Sequence, residues 1–282
     1  MISEIGCSAT LAPGISRPGL PYLYSGDLEA SLSSINALGY DAVEILLPDL
    51  DFISAADLAE CLSSHALKLA AIGTGGAFIN GKLHLCSPNE SIRRRAEDYV
   101  LRAIDLASQF GAAVNLGLVT GIVEDGVTRD HALGWLIPAL ERIGTHASGG
   151  CVAIEPLNRY EGNLINSVDD GLELLRCAGR DSLKLLADLF HMNIEEGNMA
   201  DAIRRAGRAI GHVHFVDSNR CGPGMGHTDF GPIIDALDDV AYSGYLSIEA
   251  LPIPDRDTAA RDSLAECRRL LAYHGQNKEE AV

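Results

Sequence analysis

Four residues in the second half of this 282-residue chain fall where the ligands of a divalent cation are wanted. Glu155, Asp188 and Glu249 each close a short apolar run (151–155, 183–188 and 245–249). His214 lies near the end of another run, 211–216, with Asp217 just after it. If these runs are neighbouring parallel strands, three carboxylates and an imidazole meet at one end of a sheet. Crowded carboxylates repel one another unless a cation sits between them. Three oxygens and one nitrogen suit Mn²⁺, the expected ion, or Mg²⁺ or Co²⁺, and the set also extends to Zn²⁺ or Fe²⁺. One carboxylate after an apolar run is commonly no more than a helix-start charge, so the inference rests on four donors at four successive strand ends. His212 and His214 are read as facing opposite sides of their strand, so that one serves the site and the other is structural.

The elements that must position these groups repeat along the whole chain. Eight short, nearly continuous apolar runs occur at 4–9, 42–45, 67–72, 113–118, 151–155, 183–188, 211–216 and 245–249, as expected of parallel strands covered on both faces. The stretches between them carry helical periodicity. In 91–110, Ile92, Ala96, Tyr99, Val100, Ala103, Ile104, Ala107 and Phe110 share one stripe, while Arg93, Arg94, Glu97 and Asp98 lie off it. Glycines at Gly39, Gly111 and Gly244 precede strands and read as helix C-terminal caps. Eight strand–helix units predict an α/β protein made of a single (β/α)₈ TIM barrel, one domain over 1–282, with its functional groups at the C-terminal ends of the strands. The run Cys221-Gly222-Pro223-Gly224-Met225-Gly226 follows a strand and reads as a loop over the active site.

Composition narrows the partners. The net charge of −17 opposes phosphate backbones and argues against nucleic acid. No apolar run approaches the roughly 20 residues of a membrane span, and Glu4 without a basic n-region gives no sign of a secretory signal. Seven scattered cysteines, odd in number and without a CxxC pair, are expected as reduced thiols of a cytoplasmic protein.

At these positions the sequence resembles the xylose isomerase-like barrel superfamily and, within it, the D-tagatose and D-psicose 3-epimerases. The matching runs are Ile154-Glu155-Pro156-Leu157-Asn158-Arg159-Tyr160-Glu161, Asp188-Leu189-Phe190-His191-Met192-Asn193-Ile194-Glu195-Glu196, His212-Val213-His214, and Asn219-Arg220 with Pro223-Gly224-Met225-Gly226. The resemblance implies that Glu155, Asp188, His214 and Glu249 hold the metal and that Glu155 and Glu249 are also the acid/base pair. It implies that Glu161, His191 and Arg220 contact the substrate near its carbonyl, and that the protein is a homodimer or homotetramer. Asp217-Ser218-Asn219-Arg220 and Gly226-His227-Thr228-Asp229-Phe230 depart from the free-ketose enzymes. The 71–75 loop and 247–252 look more like a branch that includes a 5-keto-L-gluconate epimerase. The expected substrate is therefore a keto sugar or a keto sugar acid; Arg17, Lys82 and His227 lie in front-face loops where they could meet an acid group, although isolated loop residues of this kind are commonly just solvated.

The expected reaction is epimerisation through an enediolate. A proton next to a ketone is a poor acid; a cation offsets the developing charge and a positioned carboxylate removes the proton. An aldose–ketose isomerase or a 3-oxo sugar acid decarboxylase would use the same site. After the last strand, Leu251-Pro252-Ile253-Pro254-Asp255 offers no glycine-rich anion cradle, so the substrate is expected without a phosphate.

Overall fold

The computed structural model describes residues 4–15 and 19–280. Nine parallel strands occur among them: β1 (Gly6–Pro13), β2 (Tyr24–Gly26), β3 (Ala42–Leu46), β4 (Lys68–Gly73), β5 (Ala113–Leu116), β6 (Cys151–Ile154), β7 (Leu183–Asp188), β8 (Ile210–His214) and β9 (Tyr245–Ile248). They pair in the order β2-β1-β3-β4-β5-β6-β7-β8-β9, and β1 also pairs with β9 from Gly6↔Tyr245 to Ala9↔Ile248. That last pairing closes an eight-stranded barrel, the TIM barrel expected. The ninth strand, β2, is a three-residue addition to the C-terminal end of β1. It is too short to leave a periodic signal, and the sequence reading missed it.

The helices are α1 (Leu28–Leu38), α2 (Ala55–Ser64), α3 (Gly75–Gly81), α4 (Glu90–Ser108), α5 (Arg129–His146), α6 (Val168–Ala178), α7 (Leu189–Glu195), α8 (Met199–Ala206), α9 (Gly231–Asp239) and α10 (Arg256–Glu280). No helix among the described residues is long and apolar enough to cross a membrane. Helix α4 shows why the pattern was readable. Asn89 caps its first turn by accepting from the Ser91 N–H. Ala96, Val100, Ala103, Ile104 and Ala107 are then buried as one stripe. Burying a side chain such as Val100 or Ile104 contributes roughly 1.5–3 kcal/mol, so a polar residue at either position would detach the helix from the strands.

The capping glycines divide. Gly39 ends α1 in the left-handed region at φ 92°. Gly244 does not cap α9, which ends at Asp239; the left-handed residue after it is Ala241 at φ 57°. Gly244 is needed for space instead, because a Cβ there would run into the Tyr242 ring.

Candidate active site

Each strand of the second half delivers one ionisable group to the same mouth. Glu155 follows β6 directly, Asp188 is the last residue of β7, His214 the last of β8, and Glu249 follows β9. The Nδ1 of His214 lies 3.1 Å from Asp188 Oδ2, 3.6 Å from Glu155 Oε1 and 3.6 Å from Glu249 Oε2. One donor atom from each of the four lies within 4.8 Å of all the others. Their side chains are between 0 and 12% exposed. Asp188 divides its two oxygens: Oδ1 accepts from the N–H groups of Phe190 and His191 at the start of α7, leaving Oδ2 for the cluster. Glu155 has its place because residue 117 is glycine, since a Cβ there would collide with its Oε2.

Electrostatics show how crowded the cluster is. Burial raises the Glu249 carboxyl, and Glu155 and Asp188 raise it further against the pull of His214 and Arg220, leaving it up at about 7. Burial also works against ionising Asp188, but His191, the His214 hydrogen bond and Arg220 outweigh it and hold that carboxyl below its ordinary range. Three carboxylates around one imidazole nitrogen are a donor set that fits a divalent cation, which would replace their repulsion with coordination.

Around the cluster lies a cavity of about 340 Å³, large enough for a small sugar. Its lining is polar where Glu161, His191 and Arg220 stand beside the cluster, and apolar at Leu157 on the loop after β6 and at Leu20, Leu46, Ile79 and Leu118 from the first half of the barrel. Arg220 donates to Glu161 Oε1 at 2.8 Å and to Glu249 Oε2 at 3.1 Å, with its guanidinium 4.7 Å above the Phe190 ring. It stands on the 217–228 loop, which Asp217 ties together. The Asp217 carboxylate accepts from the N–H groups of Ser218, Gly224, Gly226 and Thr228 at 2.7–3.0 Å. Asp217 therefore organises the loop and stands apart from the cluster.

His191 is oriented by Asn158. The backbone N–H and the side-chain amide of Asn158 both donate to His191 Nδ1, at 3.2 and 2.7 Å. The Asn158 amide is itself fixed by its Oδ1, which accepts from the Tyr160 N–H. Nδ1 is thus the acceptor, and the ring proton sits on Nε2. That atom is buried without a hydrogen-bond partner, 3.5 Å from Glu155 Oε1. An orphaned donor aimed into the cavity is what a bound oxygen would satisfy.

Several functional positions escaped the sequence reading. His212 and His214 do not face opposite sides: residues two apart on a strand share a face, and both rings reach one carboxylate, Glu44, with Nε2 at 2.9 and 3.2 Å. Glu44 was read only as part of an apolar run; its signal was a charge inside that run. Tyr22 lines the cavity, and burial together with Glu249, Glu44 and Glu155 keeps its phenol neutral by raising it well above the ordinary range. Of the three basic residues expected near an acid group, Lys82 packs over the Phe78 ring at 4.9 Å, His227 is exposed, and neither is part of the cavity wall; Arg17 lies outside the described residues.

Comparison with known proteins agrees with this architecture. Residues 32–270 match the family model described as the xylose isomerase-like TIM barrel. An L-ribulose 3-epimerase from Mesorhizobium japonicum is 30% identical over 234 residues, covering 79% of this chain and 75% of its own. A D-psicose 3-epimerase from Enterocloster bolteae is 30% identical over 232 residues, covering 79% and 76%. In fold, the solved structure of a D-allulose 3-epimerase from Methylomonas sp. in complex with D-allulose is similar at a TM-score of 0.78 and 23% identity, covering 94% of this chain and 97% of that one. With the matched segment running from α1 into α10 and so including all four strand ends of the cluster, the chain belongs to the xylose isomerase-like TIM-barrel family.

Proposed function

We propose that this chain, an enzyme of the sugar epimerase and isomerase class, inverts the carbon next to the carbonyl of a non-phosphorylated keto sugar or keto sugar acid. It does so through an enediolate, with Glu155, Asp188, His214 and Glu249 holding a divalent cation, Mn²⁺ foremost. The observation that carries the reading is the pair of carboxylates, Glu155 and Glu249, that approach one point from β6 and β9, on different sides of the mouth. When bound, the cation supplies positive charge against the oxygens of the enediolate.

The chain's own groups divide the remaining work. Inversion requires a proton to leave one face of the reacting carbon and return to the other, so two carboxyl groups must flank it. Glu155 and Glu249 serve one face each and exchange the roles of base and acid between the two directions. Their environments must differ for one to be protonated while the other is ionised. His191 donates through Nε2–H to a substrate oxygen near the carbonyl. Arg220 and Glu161 meet neighbouring hydroxyls and hold the sugar's carbonyl end against the carboxylates. The epimerase names of the two sequence relatives support the reaction class. The absence of phosphate from the substrate is supported by the segment after β9: Pro252 and Pro254 have no N–H, and those of Leu251 and Ile253 are already given to the carbonyls of Arg220 and Leu251.

The test is proton exchange. Enzyme with Mn²⁺ is incubated in D₂O with a panel of keto sugars and keto sugar acids. Deuterium should appear at one carbon beside the carbonyl, with the inverted product. Exchange with migration of the carbonyl would make the enzyme an aldose–ketose isomerase instead, release of CO₂ a decarboxylase, and no exchange with any compound would defeat the proposal.

A further inference from the structure

Beneath the carboxylate cluster, on the barrel axis, lies a second set of buried polar groups centred on Glu44. The register between β3 and β4 shifts between Val43 and Glu44, an irregularity of the kind that re-aims a side chain. Glu44 is 5% exposed. Its Oε1 faces Asn115 Nδ2 on β5 at 2.5 Å and His214 Nε2 on β8 at 3.2 Å. Its Oε2 faces His212 Nε2 on β8 at 2.9 Å and Ser247 Oγ on β9 at 2.6 Å. Four groups from three other strands thus converge on one carboxylate. With a donor aimed at each of its acceptor positions, Glu44 has no acceptor left over to be matched by a proton of its own and is read as the carboxylate.

Glu44, His212 and His214 also lie close enough together to resemble a second cation site. Hydrogen-bond accounting excludes that use. An ionised carboxylate has about four acceptor positions, and four donors occupy them here. An acceptor-only group can be faced at Nε2 only by a ring that carries its proton there, so the His214 Nε2–H points down to Glu44. The opposite nitrogen, Nδ1, points up at Asp188, Glu155 and Glu249; by the same accounting it donates to Asp188 Oδ2 at 3.1 Å while no cation is bound, and a cation seated among the three carboxylates would take the place of that proton.

We propose that Glu44 is a positioning residue that fixes His214 as the Nε2–H tautomer and so presents the Nδ1 lone pair to the cation cluster. A carboxylate behind a ligating imidazole fixes the ring's orientation and raises its basicity. The proposal rests on the cluster being a cation site, and the experiment separates the two ideas. The metal-free full-length protein is titrated with Mn²⁺ by calorimetry as wild type, Glu44→Gln and Ser247→Ala. A glutamine amide can donate to His214 Nε2, which favours the wrong tautomer, so Glu44→Gln should bind Mn²⁺ about 10- to 100-fold more weakly. Ser247→Ala removes one donor to Glu44 without touching either ring and should bind within about 3-fold of wild type if the tautomer, not the general integrity of the network, sets affinity. The direct readout needs no variant. In wild type labelled with ¹⁵N-histidine and loaded with ¹¹³Cd²⁺, cadmium should couple to His214 Nδ1, with the proton retained on Nε2. Cadmium on Nε2, or Glu44→Gln binding Mn²⁺ as tightly as wild type, overturns the role of Glu44 and leaves the cation site standing. Wild type that takes up neither ion overturns the cation site and the proposal with it.

Discussion

The barrel is nearly symmetric in backbone and strongly asymmetric in chemistry. From β6 to β9 every strand ends in a group that ionises: Glu155, Asp188, His214 and Glu249, with Glu161 and Arg220 on the loops that follow and His191 on α7. From β1 to β5 the same height of the mouth presents Leu46, Gly73, Thr74 and, beyond the strands, Ile79 and Leu118. The polar side chains that the first half does contribute to the cavity are held by other protein groups or kept neutral: Glu44 and Asn115 face each other, the Thr74 hydroxyl donates to the Asn115 carbonyl, and burial keeps the Tyr22 phenol un-ionised. On the proposed function, reactive groups are concentrated in one half and shape in the other, so that a substrate between them would be activated from one side and confined from the opposite one. A barrel allows this because strand-end residues change without disturbing the packed layers below them.

The comparison predicts effects whose size depends on the half that is touched. The largest is loss of the cation. Exhaustive chelation should abolish activity, with Mn²⁺ or Co²⁺ restoring it best. Saturating Mn²⁺, at about 100 times its Kd, should add about 2.7 kcal/mol of stability and raise the melting temperature by several degrees, about 5–10 °C for a chain of this length. Full activity in protein that elemental analysis shows to be free of metal would remove the chemical half of the comparison.

Next in size are Glu155→Gln and Glu249→Gln. Each amide oxygen can still approach a cation, but neither accepts a proton, so net epimerisation should fall about 10²–10⁴-fold in each. With one epimer supplied at a time in D₂O, each variant should retain exchange from one epimer only, and the retained epimer should swap between the two variants. Equal exchange from both epimers in both variants, with metal content verified, would mean a single base and would reassign the pair.

A smaller effect belongs to the support of that half. Asn158→Ala removes the amide that donates to His191 Nδ1 and Glu161 Oε1. Losing a hydrogen bond of this kind costs about 1–1.5 kcal/mol, so kcat/KM should fall about 10-fold while the protein stays folded. A change below 2-fold would show that the Asn158 backbone N–H alone orients the ring.

How much of this was legible in the sequence follows the same division. The strands were readable because burial on both faces leaves runs such as 183–188 almost wholly apolar, and the carboxylates closing three of those runs stand out against them. Glu44 was equally a charge in an apolar run, but it sits mid-strand, where no rule of the fold places function. Its partners come from 71 to 203 residues away, a distance at which spacing carries no signal. The misreading of His212 has a different cause: strand alternation separates neighbours, whereas these two histidines are two residues apart and share a face. Asn158 lay inside a run that resembled the epimerases, yet its contact with His191 crosses from the loop after β6 to α7 and appears only in three dimensions. The apolar wall could not be read at all, because Leu46, Ile79 and Leu118 have the same composition as core residues, and only closure of the barrel makes them line a cavity.

That wall yields the smallest and most discriminating prediction. Ile79 is on α3, half-buried and facing the cavity opposite the carboxylates. If the first half only confines the substrate, Ile79→Ala removes contact that the ground state and the transition state share equally. Binding then weakens without slowing the chemical step. Three methyl or methylene groups are lost, worth about 2.4 kcal/mol at about 0.8 kcal/mol each if fully buried; at a residue that stays partly exposed about 1 kcal/mol of this is at stake, or about 5-fold in kcat/KM. That change should appear as a rise in KM with kcat within about 2-fold of wild type. The corresponding truncation across the cavity, His191→Ala, should lower kcat. If Ile79→Ala instead lowers kcat by an order of magnitude at unchanged KM, the wall presses the sugar toward its reacting geometry, and the division between a reactive half and a confining half fails where it is most easily measured.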